Sequence, residues 1–166
     1  SSATVTVPLA TITAQGNGTF DVTARLTDVA GNAGANSTAT PVTVDAVAPT
    51  ATVAITAIAD DNGTSSSDYV TSDTTLTVSG THGPLGSGEK VQVSSDGGAS
   101  WFDVTTSTAT TWSYTDPATH ATSFTYQARI VDAAGNIDAN TASQAVTIDA
   151  AAPTAPSITS ITENSG

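Results

Sequence analysis

The chain repeats a segment of 27 residues at a spacing of 104. Residues 24–50 read ARLTDVAGNAGANSTATPVTVDAVAPT, and residues 128–154 read ARIVDAAGNIDANTASQAVTIDAAAPT. A spacing of about 100 residues is the size of a domain and exceeds the roughly 20–50 residues of solenoid units. The sequence therefore predicts the end of one repeat at residues 1–48, a complete repeat at 49–151 and the start of a third at 152–166.

Small and β-branched residues dominate the sequence, whereas Leu, Glu and other strong helix formers are scarce. This composition favours strands joined by short turns. Within the complete repeat, turn signals separate seven predicted strands at about 51–58, 74–80, 90–95, 100–106, 109–115, 123–131 and 141–149. We therefore expect an all-β fold of tandem, seven-stranded antiparallel sandwiches of the immunoglobulin type, without a cysteine pair to support it.

Two segments add detail to this expectation. In SFTYQARIV, the residues Phe124, Tyr126, Ala128 and Ile130 alternate with polar ones, which predicts one core face and one wet face. Residues 1–48 supply only the last three strands of a repeat, with Ala3 to Val7 as the first of the three. Three strands alone expose an apolar face, so either the segment begins within a domain or another element completes the sheet.

The charge of the chain limits its partners. Thirteen Asp and two Glu oppose three Lys or Arg, giving a net charge of -12. Such a surface repels nucleic acid and anionic lipid and attracts cations. No apolar run approaches the roughly 18 residues that cross a bilayer, so no membrane insertion is expected. The chain has no Cys, which excludes disulfides, zinc thiolate sites and thiol catalysis.

Carboxylates are predicted to gather where neighbouring repeats meet. In a sandwich of seven antiparallel strands, the preceding linker joins at one end, here called the incoming pole, and the last strand leaves at the other, the outgoing pole. The loop at residues 132–140 and Asp45 of the linker belong to the incoming pole. The outgoing pole is predicted to hold Asp60, Asp61, Asp68, Asp73, Asp96, Asp116 and Asp149.

Calcium is the cation that these oxygen ligands favour, because it takes roughly six to eight carboxylate, amide and carbonyl oxygens. The predicted ligands are Asp45, Asp132, Asn136 and Asp138 at the incoming pole, and Asp149, Asp60 and Asp61 at the outgoing pole. Asp28 occupies the matching place in the first copy, where Gly34 replaces Asp138, so weaker binding is expected there. The alternative is a plain hairpin loop in which Asp and Asn cap their own backbone amides.

The linkers DAVAPT and DAAAPT are short, and the proline in each fixes φ. A cation that bridges linker and loop would remove much of the freedom that remains. The neighbouring repeats of the same chain are thus the expected partners, joined into a stiff rod.

The pattern F-x-V/Y-x-A-R-x-x-D-x-A-G-N, followed by V-T-V/I-D-x-x-A-P-T, resembles the bacterial immunoglobulin-like repeats of giant surface adhesins exported by type I secretion. These include calcium-binding biofilm-associated and RTX-type adhesins, and the resemblance covers nearly the whole chain. It implies an extracellular array that extends a terminal ligand-binding region from the cell, with calcium at the domain junctions. Carried to this sequence, the junction residues are Asp45, Asp149 and Asp132, with Asp60 and Asp61 in the first loop.

Two other functions compete with this one. An enzyme is not expected, because His82 and His120 lie in turns with no Ser or Cys nucleophile in a recognisable setting. A module that binds a glycan or a surface is the stronger alternative. Since Trp101 and Phe102 are adjacent in a strand, one of them must point outward, and Trp101 is the candidate ligand contact.

Overall fold

The computed structural model describes residues 11, 14–104 and 106–163. Their strands are β1 Gly18–Val22, β2 Thr40–Val44, β3 Val53–Ile58, β4 Val70–Thr71, β5 Thr77–His82, β6 Lys90–Ser94, β7 Phe102–Asp103, β8 Thr106–Ser107, β9 Thr111–Thr115, β10 Phe124–Val131 and β11 Ala142–Ile148. In this part of the chain, no helix is long and apolar enough to span a bilayer.

Strands β3 to β11 form a sandwich of two sheets. One sheet has the order β4-β11-β10-β6-β7 and the other has the order β3-β5-β9-β8. The core between them contains Leu76, Val78, Val93, Trp112 and Ile130, each at most 2 % exposed. The expected all-β, immunoglobulin-like sandwich is confirmed.

Strand β10 shows the predicted alternation. Tyr126, Ala128 and Ile130 are fully buried, whereas Gln127 and Arg129 are half-buried on the outer face. There the Arg129 guanidinium lies 3.9 Å from the centroid of the Trp101 ring, and its Nε donates to Gln92 Oε1 at 3.0 Å. Trp101 thus lies on the outer face with one side of its ring covered.

Two parts of the strand prediction were wrong. The segment predicted as one strand at 100–106 is two short strands in different sheets, because β7 pairs with β6 whereas β8 pairs with β9. The prediction also missed β4, which lies in a segment predicted to be a loop and pairs parallel with β11. It follows Tyr69, whose φ of 60° turns the chain back toward β11.

Outside the sandwich, β1 and β2 form a separate antiparallel pair. The isolated bridge between Thr27 and Ala33 beside this pair matches the bridge between Val131 and Ile137 beside β10. The strand predicted at Ala3 to Val7 lies outside the described residues. Residues 152–163 form no strand, and Ile158 and Ile161 are 84 % and 87 % exposed.

The pairing directions set the two poles. Strand β3 runs away from the incoming linker, and antiparallel pairing of β3 with β5 and of β5 with β9 alternates the direction across that sheet. In the other sheet, β10 runs antiparallel to both β6 and β11. The loop between β10 and β11 therefore lies at the incoming pole, and β11 ends at the outgoing pole.

Gly80 permits the close approach of strands in the smaller sheet. A Cβ atom there would lie 1.9 Å from the carbonyl oxygen of Ala54 and 2.6 Å from Cε2 of Trp112. Because neither the backbone nor the buried indole can retreat freely, Gly80→Ala is expected to lower the free energy of unfolding by about 1–3 kcal/mol. Urea denaturation followed by tryptophan fluorescence measures this change.

Gly34→Ala is the matched control, since its Cβ would meet Leu26 O at an ordinary 3.6 Å. We expect a change within about 0.5 kcal/mol for it. Equal effects of the two substitutions would contradict the close-approach assignment.

Candidate functional site

The loop between β10 and β11 is organised by the Asp132 carboxylate. Its Oδ1 accepts the backbone N–H of Ala134 at 2.9 Å and of Asn136 at 2.8 Å, and its Oδ2 accepts Asn136 Nδ2 at 2.8 Å. Gly135 has a φ of 91°, which closes the turn without strain from a Cβ atom. The hydrogen bond from the Asn136 side chain, followed by those from the loop amides, holds the pKa of Asp132 below its ordinary value.

The first copy of the motif has the same geometry. Asp28 accepts the backbone N–H groups of Ala30 and Asn32 at 2.9 and 2.8 Å, and Asn32 Nδ2 at 2.9 Å. The Asn32 hydrogen bonds lower the pKa of the Asp28 carboxyl in the same way. Self-capping by Asp and Asn, the alternative reading of this motif, therefore describes the observed hydrogen bonds of both loops.

The two loops differ at the second residue after the Asp-x-Ala-Gly-Asn sequence that they share. Asp138 is 4 % exposed, and its Oδ1 accepts the backbone N–H of Ile130 at 2.8 Å. Its Oδ2 is buried and has no hydrogen-bond partner among the residues that the structure describes. Gly34 in the first copy offers no carboxylate at this position, so the buried acceptor belongs to the second loop.

The incoming linker contacts this loop directly. Asn136 Nδ2 donates to the backbone carbonyl of Asp45 at 3.1 Å, and Asn17 Oδ1 accepts the N–H of Ala46 at 2.9 Å. The Asp45 carboxylate instead caps its own turn, because Oδ1 accepts the N–H of Val47 at 3.1 Å. The linker and Asn136 are thus brought together through the backbone of Asp45. The contact of Asn17 with the linker was not predicted from the sequence.

At the outgoing pole, Thr71 connects the predicted residues. Its Oγ1 donates to the carbonyl of Asp60 at 2.7 Å, and its own carbonyl accepts the N–H of Asp149 at 2.9 Å. Asp61 Oδ2 accepts the N–H of Tyr69 at 3.0 Å, whereas Asp61 Oδ1 is buried and has no partner in the described part of the chain. Asp149 Oδ1 caps the next turn by accepting the N–H of Ala151 at 3.1 Å.

The sequence did not predict that Asp116, His120 and Tyr126 form a hydrogen-bonded cluster at this pole. Asp116 is 6 % exposed, and its Oδ2 accepts the Tyr126 hydroxyl at 3.0 Å and His120 Nε2 at 2.9 Å. The His120 ring stacks on Phe124 with 3.6 Å between centroids. Burial alone raises the pKa of Asp116, but the hydrogen bonds from His120, Ala118, Ser95 and Tyr126 outweigh it and hold the pKa below its ordinary value.

Hydrogen bonds thus link Asn136 with Asp45 and Asp132 at the incoming pole, and they link Asp60 and Asp149 through Thr71 at the outgoing pole. Among the described residues, no three His, Asp or Glu side chains are grouped closely enough to hold a metal ion. Within residues 11, 14–104 and 106–163, one buried carboxylate oxygen at each pole has no hydrogen-bond partner, on Asp138 and on Asp61.

Comparison with known proteins gives one family. Residues 48–150 match the family model described as a bacterial Ig-like domain. No curated protein matches the sequence.

The hydrogen bond from Tyr126 to Asp116 is expected to make a pH-dependent contribution to stability. Tyr126→Phe removes a donor to a buried carboxylate, so at pH 7 it should lower the free energy of unfolding by roughly 1.5–3 kcal/mol. The folded-state pKa of Asp116 lies below its ordinary value of 3.8, so its contribution is complete above that value and is lost as pH falls through the folded pKa. Urea denaturation at pH 7 and at pH 2 measures the difference.

Tyr114→Phe is the control, because the Tyr114 hydroxyl has no hydrogen-bond partner among the described residues. We expect it to change stability by less than about 0.5 kcal/mol at either pH. A Tyr126→Phe effect of the same size at both pH values would argue against a bond to the charged carboxylate.

Proposed function

Since this chain belongs to the bacterial Ig-like domain family, we propose that it is an extender repeat of a bacterial cell-surface adhesin, stiffened by calcium. In this role it spaces a terminal ligand-binding region from the cell and so acts in adhesion or biofilm formation. Bacterial Ig-like domains are generally structural modules without enzymatic activity, and they are typically extracellular or surface-exposed.

The chain enters and leaves the sandwich at opposite poles, which supports a role in an array. The incoming linker contacts one pole through Asn136, and β11 ends at the other pole. Repeats that join at opposite poles add their lengths, whereas joining at one pole would fold the array back on itself. This topology suits a spacer.

The observation that carries the calcium part of the proposal is the buried Oδ2 of Asp138. A buried acceptor without a partner costs about 1–3 kcal/mol, and more when the group is charged. A cation at the incoming pole would relieve that cost, with Asp138 as the anionic ligand and Asp45, Asp132 and Asn136 as neighbouring oxygen donors. Asp61, with Asp60 and Asp149, offers the corresponding acceptor at the outgoing pole. Bound calcium would supply fixed positive charge between linker and loop.

The residues fit a weak calcium site better than a tight one. With fewer than three carboxylates grouped among the described residues, backbone carbonyls and water would complete the coordination shell. Extracellular modules bind calcium with dissociation constants of about 10⁻⁴–10⁻³ M. Such sites fill outside cells, which agrees with the typical location of the family.

The alternative, binding of a glycan or surface at Trp101, has less support. One side of the Trp101 ring is covered by Arg129, and its Nε1 donates to the carbonyl of Gly98 at 3.0 Å. A sugar that stacks there would have to displace the guanidinium or use the remaining side of the ring.

Calcium is expected to stabilise the protein and to do so through Asp138. At a free concentration of about ten dissociation constants, one site adds roughly 1.4 kcal/mol, and each kcal/mol raises the melting temperature of a domain this size by roughly 4–8 °C. Asp138→Asn keeps the shape of the side chain but removes its charge, so calorimetry should find one calcium fewer. Asp45→Ala and Asp132→Ala are each expected to reduce the stoichiometry as well.

Asp21→Ala is the matched control, because Asp21 lies in β1, pairs with Pro41 of β2 and is not among the predicted ligands. It should leave the stoichiometry unchanged. Small-angle scattering with calcium and with chelator adds a second readout, since a stiffened joint fixes a longer maximum dimension. If all three junction variants keep the calcium stoichiometry of the unmodified protein, or if calcium causes no thermal shift, the metal assignment is refuted.

A further inference from the structure

A single peptide group in the linker is held from both sides. The carbonyl of Asp45 and the N–H of Ala46 are the two ends of one peptide plane, on which Asn136 and Asn17 make their hydrogen bonds. The first asparagine follows this peptide by 91 residues, and the second precedes it by 29. Because the peptide bond is planar and rigid, hydrogen bonds at both of its ends fix the position of the group and the direction in which its C=O and N–H point.

Asn136, the asparagine that belongs to the sandwich, is oriented by a hydrogen bond within its own loop. Asn136 Nδ2 has two hydrogens, of which one is bonded to Asp132 Oδ2 at 2.8 Å and the other to Asp45 O at 3.1 Å. Asp132 is itself held by the amides of Ala134 and Asn136. The side chain therefore loses little additional freedom when it binds the linker.

The adjoining linker residues restrict the joint further. Asp45 Oδ1 accepts the N–H of Val47 at 3.1 Å, which makes a local turn. Pro49 is buried, and its ring fixes φ. The segment from Asp45 to Pro49 thus has few free torsions.

From this geometry we infer that the Asp45–Ala46 peptide is a docking point between adjacent units, clamped by Asn17 and Asn136 without a metal ion. Asp132 is a positioning residue in this clamp, since it acts through Asn136. The inference rests on the proposed role as a spacer and adds a direct contact that sets the joint.

The amide of Asn136 serves both the loop and the clamp, since it donates to Asp132 and to the carbonyl of Asp45. A carboxylate at this position could not donate to a carbonyl, and it would face Asp132 as a like charge. Asn32 makes the same bond to Asp28 in the first loop but contacts no linker among the described residues. Asn32 is therefore a control with an identical loop.

Amide hydrogen exchange of the whole chain, measured by NMR in chelator, tests the clamp. The N–H of Ala46 should be protected in the unmodified protein. Asn17→Ala should lower that protection by at least about fivefold, the factor for one hydrogen bond of about 1 kcal/mol. Asn17→Asp keeps an acceptor oxygen and should retain the protection.

Variants of the second asparagine test the other side. Asn136→Ala should increase the fast backbone motion of residues 45–47 in ¹⁵N relaxation, whereas Asn32→Ala should leave it unchanged. Hydrogen exchange at the amides of residues 134 and 135 shows whether the Asn136→Ala loop has opened. If it has, the Asn17 variants still test the clamp, because Asn17 lies outside that loop.

An unprotected Ala46 amide in the unmodified protein, or equal protection in Asn17→Ala, would overturn the clamp. Repeating the measurement with calcium separates the two proposals. Loss of protection in the variants with no response to calcium would support the clamp and count against the metal.

Discussion

The pairing of β10 with both β6 and β11 is the constraint on which the rest of the structure depends. The alternation of side chains along β10 places Tyr126, Ala128 and Ile130 in the core and Arg129 on the outer face. The end of β10 at Val131 leads into the loop that contacts the linker. The backbone of Ile130 holds Asp138, because its N–H donates to Asp138 Oδ1 and its carbonyl accepts the N–H of Asp138. At the other end, the hydroxyl of Tyr126 bonds the buried carboxylate of Asp116. One strand thus organises both poles.

The acidic motif beside this strand has two separable physical roles. Asp132 satisfies its carboxylate with donors from its own loop, and the matching Asp28 does the same. These groups are stable as anions without a cation, because each charged oxygen accepts N–H groups. Asp138 is different, since one of its oxygens is buried and no described residue donates to it. A dense run of Asp and Asn can therefore form a capped turn and still contain one carboxylate oxygen that the turn does not satisfy.

Much of the fold could be predicted from the sequence, because the signals that carry it are local. Period-two alternation identified β10, and the strand order placed the loop at 132–140 beside the linker. The short strands β4, β7 and β8 could not be predicted this way, since two residues carry no period and pair only where the sandwich presents an edge. The contacts of Asp45 with Asn136 and of Ala46 with Asn17 depend on tertiary placement across long stretches of chain. Residue types identified where polar groups gather, but did not identify which atoms bond.

The use of neutral amides at the joint is consistent with the charge of the protein. With a net charge of -12, adjacent repeats of this kind would repel one another, most strongly where their acidic poles meet within the Debye length of about 8 Å at physiological salt. Repulsion favours an extended array, but it does not fix the angle between neighbours. A directional contact has to do that, and asparagine supplies one without adding to the local negative charge. Cation binding at Asp138 would then reduce the repulsion at a joint whose orientation is already set. Extension would come from charge and orientation from hydrogen bonds, so added salt would shorten the array sooner than it would disorder the linker.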